Sequence, residues 1–347
     1  MFEAFAENSS GRVLAILPSS GALNNPDPGR VETAAMPALM QLTGVRHWVD
    51  VWRLGRLVSE TRSLSVTGAD IMDGGYNPVA SVARWNLALC FARKGVPSRL
   101  LGFSWNGRSP AIVAAYARAA HDAGVQLFVR DPVSLRRIHA DGLPKAVGTS
   151  DTVFQLTTNN PAITQREEFE RIAGRAFVIV NASALVARGL DQVSELREVI
   201  DAILASDRNV VVLPHVQRGP HGDIEEGARV AQGYPADRVI FVDRLLEPSG
   251  VRSLTRRAEA VVTGRMHLAI MALSQGTPAL VVSTQGKVEG LAELFETPDL
   301  LLEPSPGFGA TAIERIAPER LDAFRRRVAA RLPVVTELAS RNFEGVA

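Results

Sequence analysis

Cysteine is nearly absent. Cys90 is the one thiol in 347 residues, which rules out an intramolecular disulfide and a cysteine-rich metal site. Its apolar surroundings, residues 87–92, read as those of a buried small hydrophobe. Charge imbalance is missing too: 38 basic side chains face 37 acidic ones, a formal net charge of +1. That balance offers no general affinity for nucleic acid or for an anionic membrane. No window is apolar over the length that crosses a bilayer, so no transmembrane segment is expected, although peripheral contact with a membrane stays open. The first residues carry Glu3 and Glu7 with no long apolar run behind them. They do not read as a secretory signal, and a cytoplasmic location is expected. HExxH, CxxC, Walker A and GxSxG patterns are lacking, which argues against the metal, redox, NTPase and hydrolase chemistries they carry. Aromatic residues are scarce, at 6%, and do not interleave with a basic patch, so nucleic acid is not an expected partner.

What is present is an apolar fraction of 46% with 22% charged residues, in a chain long enough for two domains with substantial cores. The second half alternates regularly. Short apolar strands are expected at residues 177–180, 209–213, 238–242, 260–263 and 279–283, and helices at 193–205, 224–232, 249–258 and 266–274. That rhythm implies βαβ crossovers and a parallel sheet covered on both faces. The first half is less regular, with strands expected at 13–17, 48–52, 69–72, 98–103 and 125–129 and a helix at 79–94. A polar break at 157–162 separates the halves. Near the end, residues 318–332 place Leu321, Phe324, Val328 and Leu332 on one helical stripe that Pro333 kinks or closes. The expected architecture is α/β: two Rossmann-like doubly wound domains, 1–158 and 159–332, facing a cleft, with a tail over 333–347. Ligands would sit at the carboxyl ends of the strands.

The densest chemistry lies in Ala260-Val-Val-Thr-Gly-Arg-Met-His-Leu268, a strand, a turn at Gly264 and a helix. Arg265 and His267 then fall in the first turn of that helix, where unpaired N–H groups and the dipole favour an anion. A cation is disfavoured there, so Arg265 points to an anionic ligand. The bland alternative is an arginine paired with a nearby carboxylate and a histidine satisfied in the core. Lys287 follows the next strand, and an ammonium and a guanidinium on adjacent loops suit a phosphate together with a carboxylate. Alone, Lys287 would read as a solvated lysine. His215, past the strand at 209–213, is an acid/base or phosphate-ligand candidate, or an ordinary loop histidine; His221, in Gly219-Pro-His-Gly222, is weaker. Asp73-Gly74-Gly75 permits close backbone approach to a ligand or simply a turn. Arg130 ends a strand and stays ambiguous, while Asp131 or Ser134 reads as the cap of the helix that follows.

These segments together resemble the polysaccharide pyruvyl transferase family. The matching run is Val261-Val-Thr-Gly-Arg-Met-His-Leu-Ala-Ile-Met-Ala-Leu-Ser-Gln-Gly-Thr-Pro-Ala-Leu280, continued by Lys287-Val-Glu-Gly-Leu291: the family's Arg-x-His, its Gly-x-Pro stop and its lysine at this distance. Ala69-Asp-Ile-Met-Asp-Gly-Gly75, Arg130-Asp-x-x-Ser-Leu135 and Thr149-Ser-Asp151 match its N-terminal landmarks in order. One departure is the first loop, where Ser20-Gly-Ala-Leu-Asn-Asn-Pro-Asp-Pro-Gly29 replaces the family's Gly-Asn-x-Gly-Asp on the sugar side.

The resemblance implies a GT-B-like pair of domains. It also implies transfer of the enolpyruvyl group of phosphoenolpyruvate to two sugar hydroxyls, leaving a pyruvate ketal on a cell-surface or exopolysaccharide glycan. Phosphoenolpyruvate and a glycan or lipid-linked sugar are the expected partners, with no cofactor and no metal required. His267 and Arg265 would be catalytic, and Gly264, Arg265, Lys287, Arg130 and His215 would form the donor side. Asp73, Gly74 and Gly75 would lie on the acceptor side. Two other readings remain: a GT-B-type glycosyltransferase using a nucleotide sugar, with Glu289 or Glu293 on the ribose, and a non-catalytic binding protein of the same fold.

Overall fold

A computed structural model describes residues 2–18, 29–172, 174–217, 221–283 and 287–345. The altered first loop, residues 20–28, and Gly219 with Pro220 lie outside the described residues. The chain divides into two compact units, Met1–Leu156 with Val335–Ala347 and Thr157–Val334.

In the first unit, β1 (Val13–Leu17) and β2 (Val31–Ala35) pair in parallel. A second parallel sheet runs β3 (Leu64–Ala69), β4 (Ser98–Phe103), β5 (Gln126–Val129) and β6 (Val147–Gly148) in sequential order. Parallel strands need crossovers, and helices Pro78–Arg93, Ala111–Asp122 and Pro132–Ala140 supply them. The first begins because Pro78 sets the entry dihedral and the Asn77 side chain accepts from the Ala80 N–H. Trp85 fills the core between sheet and helices, with its ring edge-on to Phe103 at 5.9 Å and to Trp105 at 6.2 Å.

Five local expectations are amended here. Residues 48–52 are not a strand but part of helix Val45–Leu57. The alternation Trp-Val-Asp-Val-Trp mimics a period of two, yet the side chains that turn inward are His47, Asp50 and Leu54, at helical spacing. The strand expected at 69–72 is β3, which ends at Ala69 with a φ of 45° and leaves residues 70–72 in the following turn. Cys90 is exposed, because the helix turns Trp85, Ala88 and Leu89 toward the core instead. Of the two expectations for Pro333, closure is excluded, because it lies inside the last helix, which runs over Pro318–Ser340. The segment expected as a tail is pinned into the first unit. The fully buried Asn342 accepts from the Gly102 N–H at 2.9 Å and donates to the Ser150 carbonyl at 3.0 Å, and Arg99 donates to the Glu344 carbonyl at 2.7 Å.

The second unit holds one six-stranded parallel sheet. Its strands are β7 (Phe177–Asn181), β8 (Asn209–Val212), β9 (Val239–Phe241), β10 (Ala260–Thr263), β11 (Ala279–Val282) and β12 (Leu301–Leu302), in the order β12-β11-β10-β7-β8-β9. Every residue of β7, β8, β10 and β11 is buried, which explains why these strands read as continuous apolar runs rather than alternations. Counted from β7, the order is that of a dinucleotide-type Rossmann sheet, and it reverses between β7 and β10.

The landmark residues of the first unit converge on one buried arginine. Arg130, 1% exposed, pairs with Asp70 and with Asp151 (3.1 Å), and its Nε donates to Ser104 Oγ at 2.7 Å. Burial by itself would favour the neutral form, but the carboxylates of Asp70, Asp151 and Asp131 outweigh it and raise the pKa, so the guanidinium stays charged. Replacing Arg130 with Met would leave Asp70 and Asp151 without their counter-charge. The expected loss is about 3–5 kcal/mol of unfolding free energy in urea titrations; an unchanged midpoint would contradict this assignment.

Candidate functional site

A sheet whose strand order reverses leaves a crevice at the carboxyl ends of the two strands flanking the reversal. Here those strands are β7, followed by Ser183, and β10, followed by Gly264 and Arg265. The two loops meet closely. A Cβ at Gly264 would lie 2.5 Å from Val186 Cγ2 and 2.6 Å from Ser183 Cβ, so only glycine fits. Arg265 then stands at the N-cap of helix Met266–Leu273, one position ahead of the first turn expected for it, and His267 lies inside that turn. His215 follows the end of β8, and Lys287 precedes helix Glu289–Leu294 beyond β11. Gly264, Arg265, His267, His215 and Lys287 therefore all occupy the carboxyl end of one sheet.

The side chain that organises this edge is one the sequence did not single out. Asp223 opens helix Asp223–Ala231 and is fully buried. Arg265 grips it in a fork, with Nη2 donating to Oδ1 at 2.6 Å and Nε reaching Oδ2 at 3.1 Å. Further donors converge on the same carboxylate: the Ala184 N–H at 3.0 Å, the Val216 N–H at 3.0 Å, the His215 N–H at 3.2 Å and Asn181 Nδ2 at 3.2 Å. Asn181 Oδ1 accepts from Thr263 Oγ1 at 2.9 Å, and that hydroxyl accepts from the Arg265 N–H at 2.8 Å. One buried network thus ties together the ends of β7, β8 and β10. Burial alone would raise the Asp223 pKa, but the hydrogen bonds and charge of Arg265, with the Ala184 and Asn181 contacts, hold it below the ordinary carboxylate range. The only advance signal was an acidic residue at a helix start behind the run His221-Gly222, a position that the dipole favours.

The bland reading of Arg265, an arginine paired with a carboxylate, is therefore what its geometry shows. The pairing also aims the side chain. Nε and Nη2 are taken by Asp223, and Nη1 lies outside that fork on a side chain 17% exposed. His215 is a different kind of histidine from a free one. Burial above all, then the charges of His267 and Arg265, push its pKa down to about 4, partly offset by Asp223. His267 and Arg265 are thus near enough to act on it electrostatically.

The first-unit candidates fare differently. Asp73 is fully buried, and its Oδ1 accepts from the Gly75 N–H at 2.9 Å, which makes an Asx turn. Gly74 has a φ of 80°, and a Cβ there would lie 2.9 Å from Val113 Cγ2, so packing and backbone account for this glycine. Arg130 is occupied by Asp70 and Asp151, and Asp131 caps its helix by accepting from the Ser134 N–H at 2.7 Å. Glu289 Oε1 accepts from Ser283 Oγ at 2.9 Å. Among the described residues no group of His, Cys, Asp and Glu is arranged to hold a metal ion, and no helix is long and apolar enough to cross a membrane.

Solved structures with the same fold are GT-B enzymes. A putative UDP-N-acetylglucosamine 2-epimerase from Listeria monocytogenes aligns with a TM-score of 0.61 at 13% identity, over 95% of this chain and 94% of that one. The UDP-GlcNAc 2-epimerase from Neisseria meningitidis, bound to UDP-GlcNAc, aligns with a TM-score of 0.58 at 12% identity, over 93% and 83%. An α,α-trehalose-phosphate synthase from Burkholderia vietnamiensis gives 0.52 at 13% identity, over 89% and 82%. At these identities the likeness concerns the fold alone. No curated protein matches the chain in sequence. The family model of the polysaccharide pyruvyl transferases matches residues 48–286, and the chain belongs to that family.

At neutral pH His215 is uncharged. A histidine with a depressed pKa stabilises the fold above its unfolded value of 6.5 and loses that contribution as pH falls toward 4, because the unfolded chain takes up the proton first. An NMR titration of the His215 ring is expected to give a midpoint near 4. Urea midpoints should fall more steeply through that window for the parent than for His215→Gln. A ring titrating near 6.5 would contradict the burial described for it.

Proposed function

We propose that the protein transfers the enolpyruvyl unit of phosphoenolpyruvate to two hydroxyls of a sugar, yielding a pyruvate ketal and inorganic phosphate. The observation that carries this reading is the collection of Arg265, His267, His215 and Lys287 at the carboxyl edge of one sheet, in a chain of the pyruvyl transferase family. Phosphoenolpyruvate places a phosphate and a carboxylate on a three-carbon unit, which calls for clustered cations. Arg265 Nη1, Lys287 and the N-terminal amides of helix Met266–Leu273 supply donors for both groups. Arg130 is left out of the donor side because its guanidinium is committed to Asp70 and Asp151.

His267 is the general acid. It gives a proton to the methylene carbon, which becomes a methyl group, and positive charge develops at the neighbouring carbon. The oxygen of the first hydroxyl bonds to that carbon, and its proton restores His267. The oxygen of the second hydroxyl then bonds there while the carbon–oxygen bond to phosphate breaks, and its proton leaves with the phosphate. Arg265 and Lys287 stabilise the departing charge. His215, uncharged at pH 7 because its pKa is pushed down, is not the acid of this step. No oxidation occurs, and the balance closes without a cofactor. Phosphoenolpyruvate is a cytoplasmic metabolite, so this reading places the reaction in the cytoplasm. The acceptor is a glycan or lipid-linked sugar of the cell-surface or exopolysaccharide class.

The test is incubation with phosphoenolpyruvate and a panel of glycans, with phosphate release and the mass of the glycan followed together. Release of phosphate with the mass gain of one pyruvate ketal is expected. His267→Ala should lower turnover by roughly 10²–10⁴-fold while the thermal shift caused by phosphoenolpyruvate persists. Consumption of a nucleotide sugar with no response to phosphoenolpyruvate would replace this reading with a glycosyltransferase. Absence of turnover and of any ligand-induced shift would leave a non-catalytic member of the fold.

A further inference from the structure

Helix Val45–Leu57 is apolar on two sides. Its inner side buries His47 and Leu54 together with Asp50, whose Oδ2 accepts from the Ala38 N–H at 3.0 Å. Its outer side carries Val45, Trp48, Val49 and Trp52, which are 82%, 67%, 50% and 61% exposed. At 100° per residue these four fall on one stripe. Two adjacent tryptophans and two valines in water form a contiguous apolar patch of the kind that marks an interaction surface.

The exposed charged side chains of the helix itself all have one sign. Arg46, Arg53 and Arg56 are the exposed charged residues of the helix, and the Arg56 guanidinium lies 4.9 Å above the Trp52 ring. Asp50, the helix's one carboxylate, is buried on the inner side, 3.7 Å from the Nη1 of the half-exposed Arg53. Glu60 comes only beyond the helix end, next to Arg62. A helix that presents tryptophan and aliphatic side chains, with Arg56 among them and Arg46 and Arg53 along one margin, matches the boundary of an anionic bilayer. There the indoles sit at headgroup depth and the guanidinium groups meet lipid phosphates. A second copy of this chain is a poorer match, since it would bring two arginine clusters together with no exposed carboxylate on either helix between them.

We propose that helix Val45–Leu57 docks the protein on an anionic lipid surface, lying in the plane of the interface with Trp48 and Trp52 inserted. Docking is independent of the donor assigned above and adds a location to the reaction: the enzyme would meet acceptors carried at a membrane.

The experiment is co-sedimentation of the full chain with vesicles of phosphatidylcholine alone and of phosphatidylcholine mixed with phosphatidylglycerol. Trp85 and Trp105 are fully buried, so a blue shift of tryptophan emission on adding vesicles reports Trp48 and Trp52. Binding to the anionic vesicles is expected, with a blue shift, and weakening with added salt. Trp48→Ala with Trp52→Ala should reduce the bound fraction by about tenfold or more without changing Tm, since both side chains are exposed. Arg46→Gln with Arg53→Gln and Arg56→Gln should abolish the preference for anionic over zwitterionic vesicles. No binding to either vesicle would overturn the proposal, as would equal binding by the tryptophan variant. A lipid-free dimer that the tryptophan variant dissociates would overturn it in favour of a second copy on this face.

Discussion

The arrangement of the candidate site depends on one buried carboxylate. Asp223 has no exposure to solvent, so its charge must be met from within the protein, and it collects the Arg265 fork together with backbone and amide donors from the ends of β7 and β8. Such a pair is poor evidence of net stability, because desolvation offsets much of the Coulomb attraction. What it does supply is geometry. A guanidinium held on two of its nitrogens has few rotamers left, and one nitrogen remains directed away from the fork. The loop packing at Gly264 and the Thr263–Asn181 hydrogen bond fix the backbone beneath it.

The pair also sets the electrostatics. Asp223 offsets much of the charge of Arg265, so that side chain meets a ligand as an aimed hydrogen-bond donor more than as a bare cation. Desolvation of the half-buried His215, with the charges of His267 and Arg265 near it, keeps it uncharged at neutral pH.

How much of this was legible varies with the kind of contact. The second unit could be read closely because strands buried on both faces appear as unbroken β-branched runs, such as Val210 to Val212, each bounded by turn residues. Arg265, His267, Lys287 and His215 were legible because each stands just beyond such a run. Asp223 was not. It lies 42 positions from Arg265, and no local pattern reports a pair made by folding. In the first unit, residues 48–52 fit a strand as well as a helix by sequence, and only the packing of His47 and Leu54 decides between them. Arg130, at a strand end, stays ambiguous by sequence and gains a donor-side role only through the resemblance; the partners that bury it, Asp70 and Asp151, come from other landmark segments brought together by the sheet.

The central claim is that Asp223 acts through Arg265 to position the donor, and the Asp223→Asn variant tests it most directly. The amide keeps the size and an acceptor oxygen but loses the charge that holds the fork. Phosphate release from phosphoenolpyruvate should fall on the order of 10²-fold in a protein that still unfolds cooperatively, the usual consequence of misplacing a reacting group by about 1 Å. Full turnover in that variant would contradict the account.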